Sequence, residues 1–267
     1  MSFTPIFDGL ALDDTNGIKV EKVKDFGPVT VKMEPTLGGG SGLRRANIEG
    51  RTIRLSGTIS ADTAATLETR LDTLLQKLHQ ADAKVLQISD DRYLDAWASP
   101  DGIKWDGGTA GTVARWSCKF TSKSPYWRAS AESTDTLTNS SGTGSQSVVV
   151  DNTGATAPSW PTFEIAFEGD ISGTLTLGNS TTSKEVEFAD LNVMTGDTLI
   201  INTENGQIYI ETPANASSYT PNKITGAFWP LEPGNNTVVM TVTWGSGSDS
   251  DMTIKWYEQH HHMGDLG

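Results

Sequence analysis

Few residues in this 267-residue chain have the type and spacing that catalysis needs. Three of its four histidines, His260, His261 and His262, stand together near the C-terminal end. No carboxylate or cysteine lies beside them at a ligand spacing, so the trio reads as a solvated tail rather than a defined metal site. The fourth, His79, falls in a helical stretch beside an apolar stripe and is expected to pack there. Without a well-placed internal histidine, a Ser-His-Asp or Cys-His nucleophile is not expected. Cys118 is the single cysteine. It lies among alternating core residues, which makes it a small buried thiol and leaves no internal disulfide. Glu164 with Glu168, and Glu185 with Glu187, have the residue types of a glycoside-hydrolase pair. Each alternates with Phe163, Ile165, Phe167, Val186 or Phe188, so they read as the solvent side of strands. Asp249 and Asp251 lack the later ligands of a calcium loop. No catalytic residue, metal ligand or cofactor is therefore expected. The groups with binding chemistry are aromatic: Trp160, Tyr219 and Trp229 fall near turns, where a ring face can stack on a sugar, and they are the candidate glycan contacts.

Composition sets wider bounds. Hydrophobic content of 36% with 20% charged residues describes a soluble globular chain with room for two domains. No apolar run approaches membrane-spanning length, and the N-terminal residues lack the pattern of a secretory signal. Folding in a reducing cytoplasm is the expectation. The net charge of −13 is uneven: residues 1–128 hold 17 Lys and Arg against 16 Asp and Glu, while residues 129–267 hold 3 against 17. Such an acidic C-terminal half argues against nucleic acid or anionic lipid as a partner.

One helix stands out among strands. In Arg51–Ile59, apolar Ile53, Leu55 and Ile59 alternate with polar residues, which places one strand face in a core. The period then changes. Ala64, Leu67, Leu71, Leu74, Leu75 and Leu78 are spaced three and four apart, on one side of a helix capped by Ser60 or Asp62. Before this come short strands, Ile18–Lys24 and Val29–Met33, about a turn at Phe26-Gly27-Pro28. Four glycines between Gly38 and Gly42 make a loop or hairpin tip. A phosphate cradle is not expected there, because no Gly-Lys-Ser/Thr enters a helix. Later strands are Lys84–Ile88, Arg92–Ala98 and Val113–Thr121, the last with Ala114, Trp116, Cys118 and Phe120 on one face. Residues 129–146, rich in Ser, Thr and Gly, read as a linker or boundary. Beyond them the pattern is almost wholly β, with an Asn205-Gly206 hairpin and core strands carrying Trp244 and Trp256. The fold class is mainly β. An N-terminal domain (1–128) carries the helix; a two-sheet sandwich of jelly-roll type spans 147–258; a tail of 259–267 follows.

Three stretches carry a family resemblance. They are Arg51–Ile59 running into the single helix, the closing Ser124-Pro125-Tyr126-Trp127-Arg128, and Trp229-Pro230-Leu231-Glu232-Pro233-Gly234-Asn235-Asn236-Thr237-Val238 before a Gly/Ser turn and a last strand to Tyr257. In these the chain resembles the distal tail proteins of siphovirus-type bacteriophages. The resemblance implies a non-enzymatic structural protein at the distal end of the phage tail, made in the host cytoplasm. It implies a hexameric ring built by the β-sandwich-like N-terminal domain with its helix and a projecting hairpin, whose tip would be Gly38–Gly42. The galectin-like or carbohydrate-module-like C-terminal domain would point outward. The implied partners are further copies of itself, the tail tube protein, the tail hub, and receptor-binding proteins or fibres, with no nucleic acid and no membrane insertion. A carbohydrate-binding protein is the alternative, and a glycan-cleaving tail enzyme a third. Arg44, Arg45, Arg51 and Arg54 cluster in the ring half. They are the expected contacts between subunits, facing Asp90, Asp91 or Asp95 of a neighbour.

Overall fold

The computed structural model describes residues 4–34, 44–105, 111–139, 144–212, 216–218, 223–244 and 249–262. Contacts divide the chain into two units, Met1–Ser130 with His260–Gly267, and Ala131–Gln259. The second is inserted in the first, because the chain leaves the N-terminal unit at Ser130 and re-enters it at His260.

The N-terminal unit is built on one antiparallel sheet. Its strands are β1 (Ile6–Phe7), β2 (Leu10–Ala11), β3 (Ile18–Glu34), β4 (Arg44–Ser60), β5 (Lys84–Ser89), β6 (Arg92–Trp105), β7 (Val113–Ser122) and β8 (Trp127–Arg128). They run in the order β2-β1-β5-β6-β7-β4-β3, with β8 paired to β6. The alternation of Arg51–Ile59 is realised in full: Ile53, Leu55 and Ile59 are buried, with Ala114, Trp116, Cys118 and Phe120 of β7 beside them. The Phe26-Gly27-Pro28 segment does not turn. It continues β3, which pairs with β4 through several register shifts. An edge strand tolerates this, since a proline there forfeits no interior ladder bond. The expected hairpin tip, Gly38–Gly42, lies outside the described residues. β3 and β4 flank it as antiparallel partners, with Glu34 opposite Arg44.

The single helix, α1 (Ala64–Leu78), packs against β4, β6 and β7 and buries Leu67, Leu71, Leu74 and Leu78. Each buried leucine contributes about 1.5–3 kcal/mol. Leu75 lies at the stripe's margin, half-buried, and Ala64 is exposed. The cap is Thr63, not Ser60 or Asp62: its hydroxyl oxygen accepts from the Thr66 N–H at 3.2 Å. At the other end His79 is exposed rather than packed. Its N–H donates to the Leu75 carbonyl at 2.9 Å and closes the last turn. Lys77, in that turn, pairs with Asp8 at 2.9 Å, which suits the negative end of the helix dipole.

The C-terminal unit is a two-sheet antiparallel sandwich. Its strands are β9 (Ser133–Asn139), β10 (Gly144–Asn152), β11 (Thr162–Phe167), β12 (Ile171–Asn179), β13 (Lys184–Val193), β14 (Thr198–Asn202), β15 (Gln207–Glu211), β16 (Ala216–Ser218), β17 (Lys223–Gly226), β18 (Gly234–Trp244) and β19 (Ser250–Trp256). One sheet runs β10-β18-β12-β13-β17 and the other β16-β15-β14-β11-β19-β9. Their facing sides bury one core that includes Phe163, Ile165, Leu175, Leu177, Val238, Met240 and Trp256. Residues 129–146 are therefore not a simple linker. β9 and the start of β10 fall there, and Leu137 enters the core. Their Ser and Thr side chains occupy the outward positions of strands, where polar β-formers fit. The Asn205-Gly206 hairpin forms as β14–β15 with Asn202 opposite Gln207. Gly206 takes φ +71°, which only glycine and asparagine adopt readily. Among the described residues no helix is long and apolar enough to cross a membrane.

Candidate functional site

The four arginines read as one cluster from the sequence have different fates. Arg51 is 2% exposed. β4 points it inward, where each of its three guanidinium nitrogens donates a hydrogen bond within the N-terminal unit. Nη1 donates to the Asp25 carboxylate at 2.6 Å, Nε to the Pro125 carbonyl at 3.0 Å, and Nη2 to the His261 carbonyl at 2.6 Å. The group also lies 5.5 Å from the centre of the Trp127 ring. Burial pulls the guanidinium pKa down and the Asp25 charge pulls it back up. Arg51 is thus a clamp inside the fold, not a contact awaiting a neighbour. The guanidinium spreads its donors over three nitrogens in one rigid plane, which reaches these separated acceptors, whereas an ammonium radiates all of its donors from a single nitrogen.

The histidine trio is corrected by the same site. His260 closes β20 (Gln259–His260), which pairs with β8, and it is 5% exposed. His261 is exposed, but its ring meets Tyr126 edge-on at 5.1 Å while its carbonyl takes the Arg51 bond. The segment that read as a free tail is the closing strand of the N-terminal unit. Its signal in the sequence was Ser124–Arg128, whose carbonyls and Trp127 form the seat.

Arg54 is exposed and pairs with Asp101 at 2.9 Å. The side chains of Arg44 and Arg45 lie outside the described residues. The acids expected opposite them have partners in their own chain: Asp91 pairs with Arg92 at 2.5 Å, and Asp95 with Arg128 at 3.3 Å.

Arg54 belongs to a larger feature that sequence spacing did not reveal. Pairing across β3, β4, β7 and β6 sets outward residues in transverse rows. One row is Lys19, Thr58, Arg115 and Lys104. The next is Lys22, Ser56, Ser117 and Gly102, and the third Lys24, Arg54, Lys119 and Ser99. Lys119 is half-buried and the other six cations are exposed. Glu21 and Asp101, at register shifts, are the acids among them; Glu21 accepts from the Thr58 hydroxyl at 3.2 Å. A depression of about 860 Å³ opens on this face between Glu21, Arg54, Lys104 and Arg115.

The glycan trio does not assemble. Trp229 is 1% exposed, stacks edge-on with Phe163 at 5.4 Å, and donates its indole N–H to the Leu177 carbonyl at 3.3 Å. It is a core residue, because the segment before β18 dips between the sheets. Trp160 is half-buried, and Tyr219 lies outside the described residues. The carboxylates stay on outer strand faces, with Glu164 paired to Lys255 at 2.6 Å. Cys118 is fully buried, and burial pushes its thiol up to about 12. Among the described residues no cluster of His, Cys, Asp and Glu could hold a metal ion.

The Trp229–Val238 stretch earns its place through buried asparagines. The Asn236 side-chain oxygen accepts from the Glu232 N–H at 3.0 Å and from Asn179 at 2.9 Å, while its nitrogen donates to the Glu232 and Gly234 carbonyls. Asn152 donates to the Glu232 carbonyl at 3.1 Å. The stretch is thus fastened to three strands, which fixes the entry into β18.

Comparison with known proteins agrees with this reading. Residues 154–260 match the family model of the siphovirus-type tail component, C-terminal domain. The match covers most of the C-terminal unit and bears out the resemblance to distal tail proteins. Its fold is also that of the SPP1 Dit protein, described as a paradigm of the hub adsorption apparatus in Gram-positive-infecting phages. The two share 19% identity, with 96% of this chain and 98% of that one covered at a TM-score of 0.62. The phage p2 baseplate, in its activated conformation with Sr, is more remote: 11% identity, 92% and 93% covered, TM-score 0.41. No curated protein matches the sequence.

Proposed function

We propose that this chain is a phage tail component that assembles with copies of itself as a hexameric ring between the tail tube and the distal hub, and holds receptor-binding proteins or fibres. The observation that carries the reading is the family match over 154–260, joined to a fold shared with SPP1 Dit along nearly the whole chain. The β3–β4 hairpin supports it. Arg44 to Arg51 pair with β3 alone among the described pairings, whereas Thr52–Ser60 also pair with β7. A two-stranded ribbon is only marginally stable in water, and a neighbouring subunit would give it a surface to lie on. Enzymatic activity forms no part of the proposal, and glycan binding has lost its anchor with Trp229 in the core.

Native mass spectrometry of the full chain tests the ring. A closed six-copy species is the expected result, and a monomer at every concentration overturns the proposal. The full chain is the right material, because a fragment ending at Arg128 would lack the β20 strand that pairs with β8.

A further inference from the structure

We infer that the outward face of β3, β4, β7 and β6 binds the phosphate backbone of double-stranded nucleic acid without regard to sequence. The three transverse rows bring seven Lys and Arg side chains to one face, with Glu21 and Asp101 as the acids among them. This is a strong local excess of positive charge in a chain of net charge −13. The average had concealed it: residues 1–128 are close to neutral, and strand pairing sorts their charges onto faces.

The chemistry between the cations decides what kind of anion fits. Ser56, Thr58, Ser99, Ser117 and Gly102 are the remaining members of the rows. The serine hydroxyls beside Lys and Arg are donors that phosphate oxygens accept from, while the Thr58 hydroxyl already serves Glu21. Strands lie about 4.8 Å apart and alternate residues about 6.7 Å apart, so neighbouring cations fall at the scale of successive phosphates. A protein partner would ask for an aromatic or aliphatic anchor at the centre and fewer lysines. These rows contain no such anchor. Trp97, one row beyond, is half-buried with Lys123 over its ring at 5.5 Å, so the rows offer no open aromatic platform of the kind that holds single strands by base stacking. Lysine-rich, polar and unanchored is the character of non-specific duplex binding. The inference does not depend on ring formation.

The test is fluorescence anisotropy of a labelled duplex of about 20 base pairs with the full chain. If about four phosphates are neutralised, affinity should fall roughly 100-fold between about 50 and about 200 mM salt. Lys22→Glu with Lys104→Glu reverses two exposed charges on the face. It should weaken binding at least about 10-fold and flatten the salt slope by about two, with an unchanged circular dichroism spectrum. Lys184→Glu, a charge reversal on β13 of the C-terminal unit, should leave affinity within about twofold. Absence of binding at low salt overturns the inference. So does equal binding by the double variant, or an equal loss in Lys184→Glu, which would report net charge alone. A poly-glutamate chain or a single strand that binds as tightly as duplex would assign the face to another polyanion and equally overturn it.

Discussion

Replacing Arg51 with Met should destabilise the N-terminal unit by about 3–5 kcal/mol and release the strand that closes it. The magnitude follows from what each partner loses. Met keeps most of the aliphatic volume beside Trp127, so little packing is lost. The His261 carbonyl belongs to an exposed residue and can turn to water, so losing its bond adds little to the cost for the rest of the unit but unfastens the segment that follows β20. The Asp25 carboxylate is the expensive partner, because its side chain is 14% exposed and loses a cation held at 2.6 Å. Breaking one side of such a pair costs about 3–5 kcal/mol, a large share of the roughly 5–15 kcal/mol that holds a domain together. Hydrogen exchange read by mass spectrometry during urea titration separates the units. Peptides from β4–β8 should lose protection at lower urea in the variant, peptides from β11–β14 should not, and residues 260–262 should exchange rapidly even in water. Adding Asp25→Asn should recover part of the loss, since it removes the charge that Arg51 offset. Arg51→Lys should fall between, keeping the charge and giving up the fork. A shift below about 1 kcal/mol, with residues 260–262 still protected, would refute the clamp.

Three further outcomes are expected. Leu71→Asp and Leu74→Asp each place an unpartnered carboxylate under α1, where both leucines are buried; a cost of several kcal/mol should abolish soluble protein, and a folded circular dichroism spectrum from both would contradict the packing. His260 responds to pH in a defined direction. Burial chiefly, then Arg92, lowers its imidazole pKa against the opposing pull of Asp91. As pH falls through about 6.5 the unfolded segment takes up a proton before the folded one, so docking of β20 weakens and levels off below the folded pKa. Exchange at residues 260–262 should therefore quicken from about pH 7.5 to about 5.5 beyond the intrinsic trend, and His260→Phe should remove the excess; an excess that survives in the variant rejects the assignment. Cys118, fully buried and pushed up to about 12, should resist a thiol reagent until urea unfolds the N-terminal unit, and prompt labelling of native protein would show the thiol to be accessible.

Periodicity determined much of this protein by itself. Alternation at two residues fixed the inward faces of β4, β7, β11, β12, β18 and β19, and spacing at three and four fixed the buried face of α1. These patterns are local, because a residue's face follows from its position along its own element. Catalytic chemistry is likewise judged from residue types, and the scarcity of histidine and the solvent-side carboxylates were legible at once. Closely spaced arginines misled for the same reason. Arg51 and Arg54 are three positions apart on one strand and so face opposite ways, one into the core and one into solvent.

Only the tertiary structure decided the rest. Residues 260–262 read as a tail because their partners, Arg51, Tyr126 and β8, lie more than a hundred positions away, and no local pattern marks a strand of two residues. Trp229 read as a surface aromatic near a turn, yet asparagines from three strands hold its segment where the indole must enter the core. The acidic C-terminal half argued against a polyanion, whereas register across four strands of the N-terminal unit gathers positive side chains onto one face. Charge, burial and pairing at these places depend on which distant segments meet, and that is set by how the sheet's strands align, not by the order of residues along any one of them.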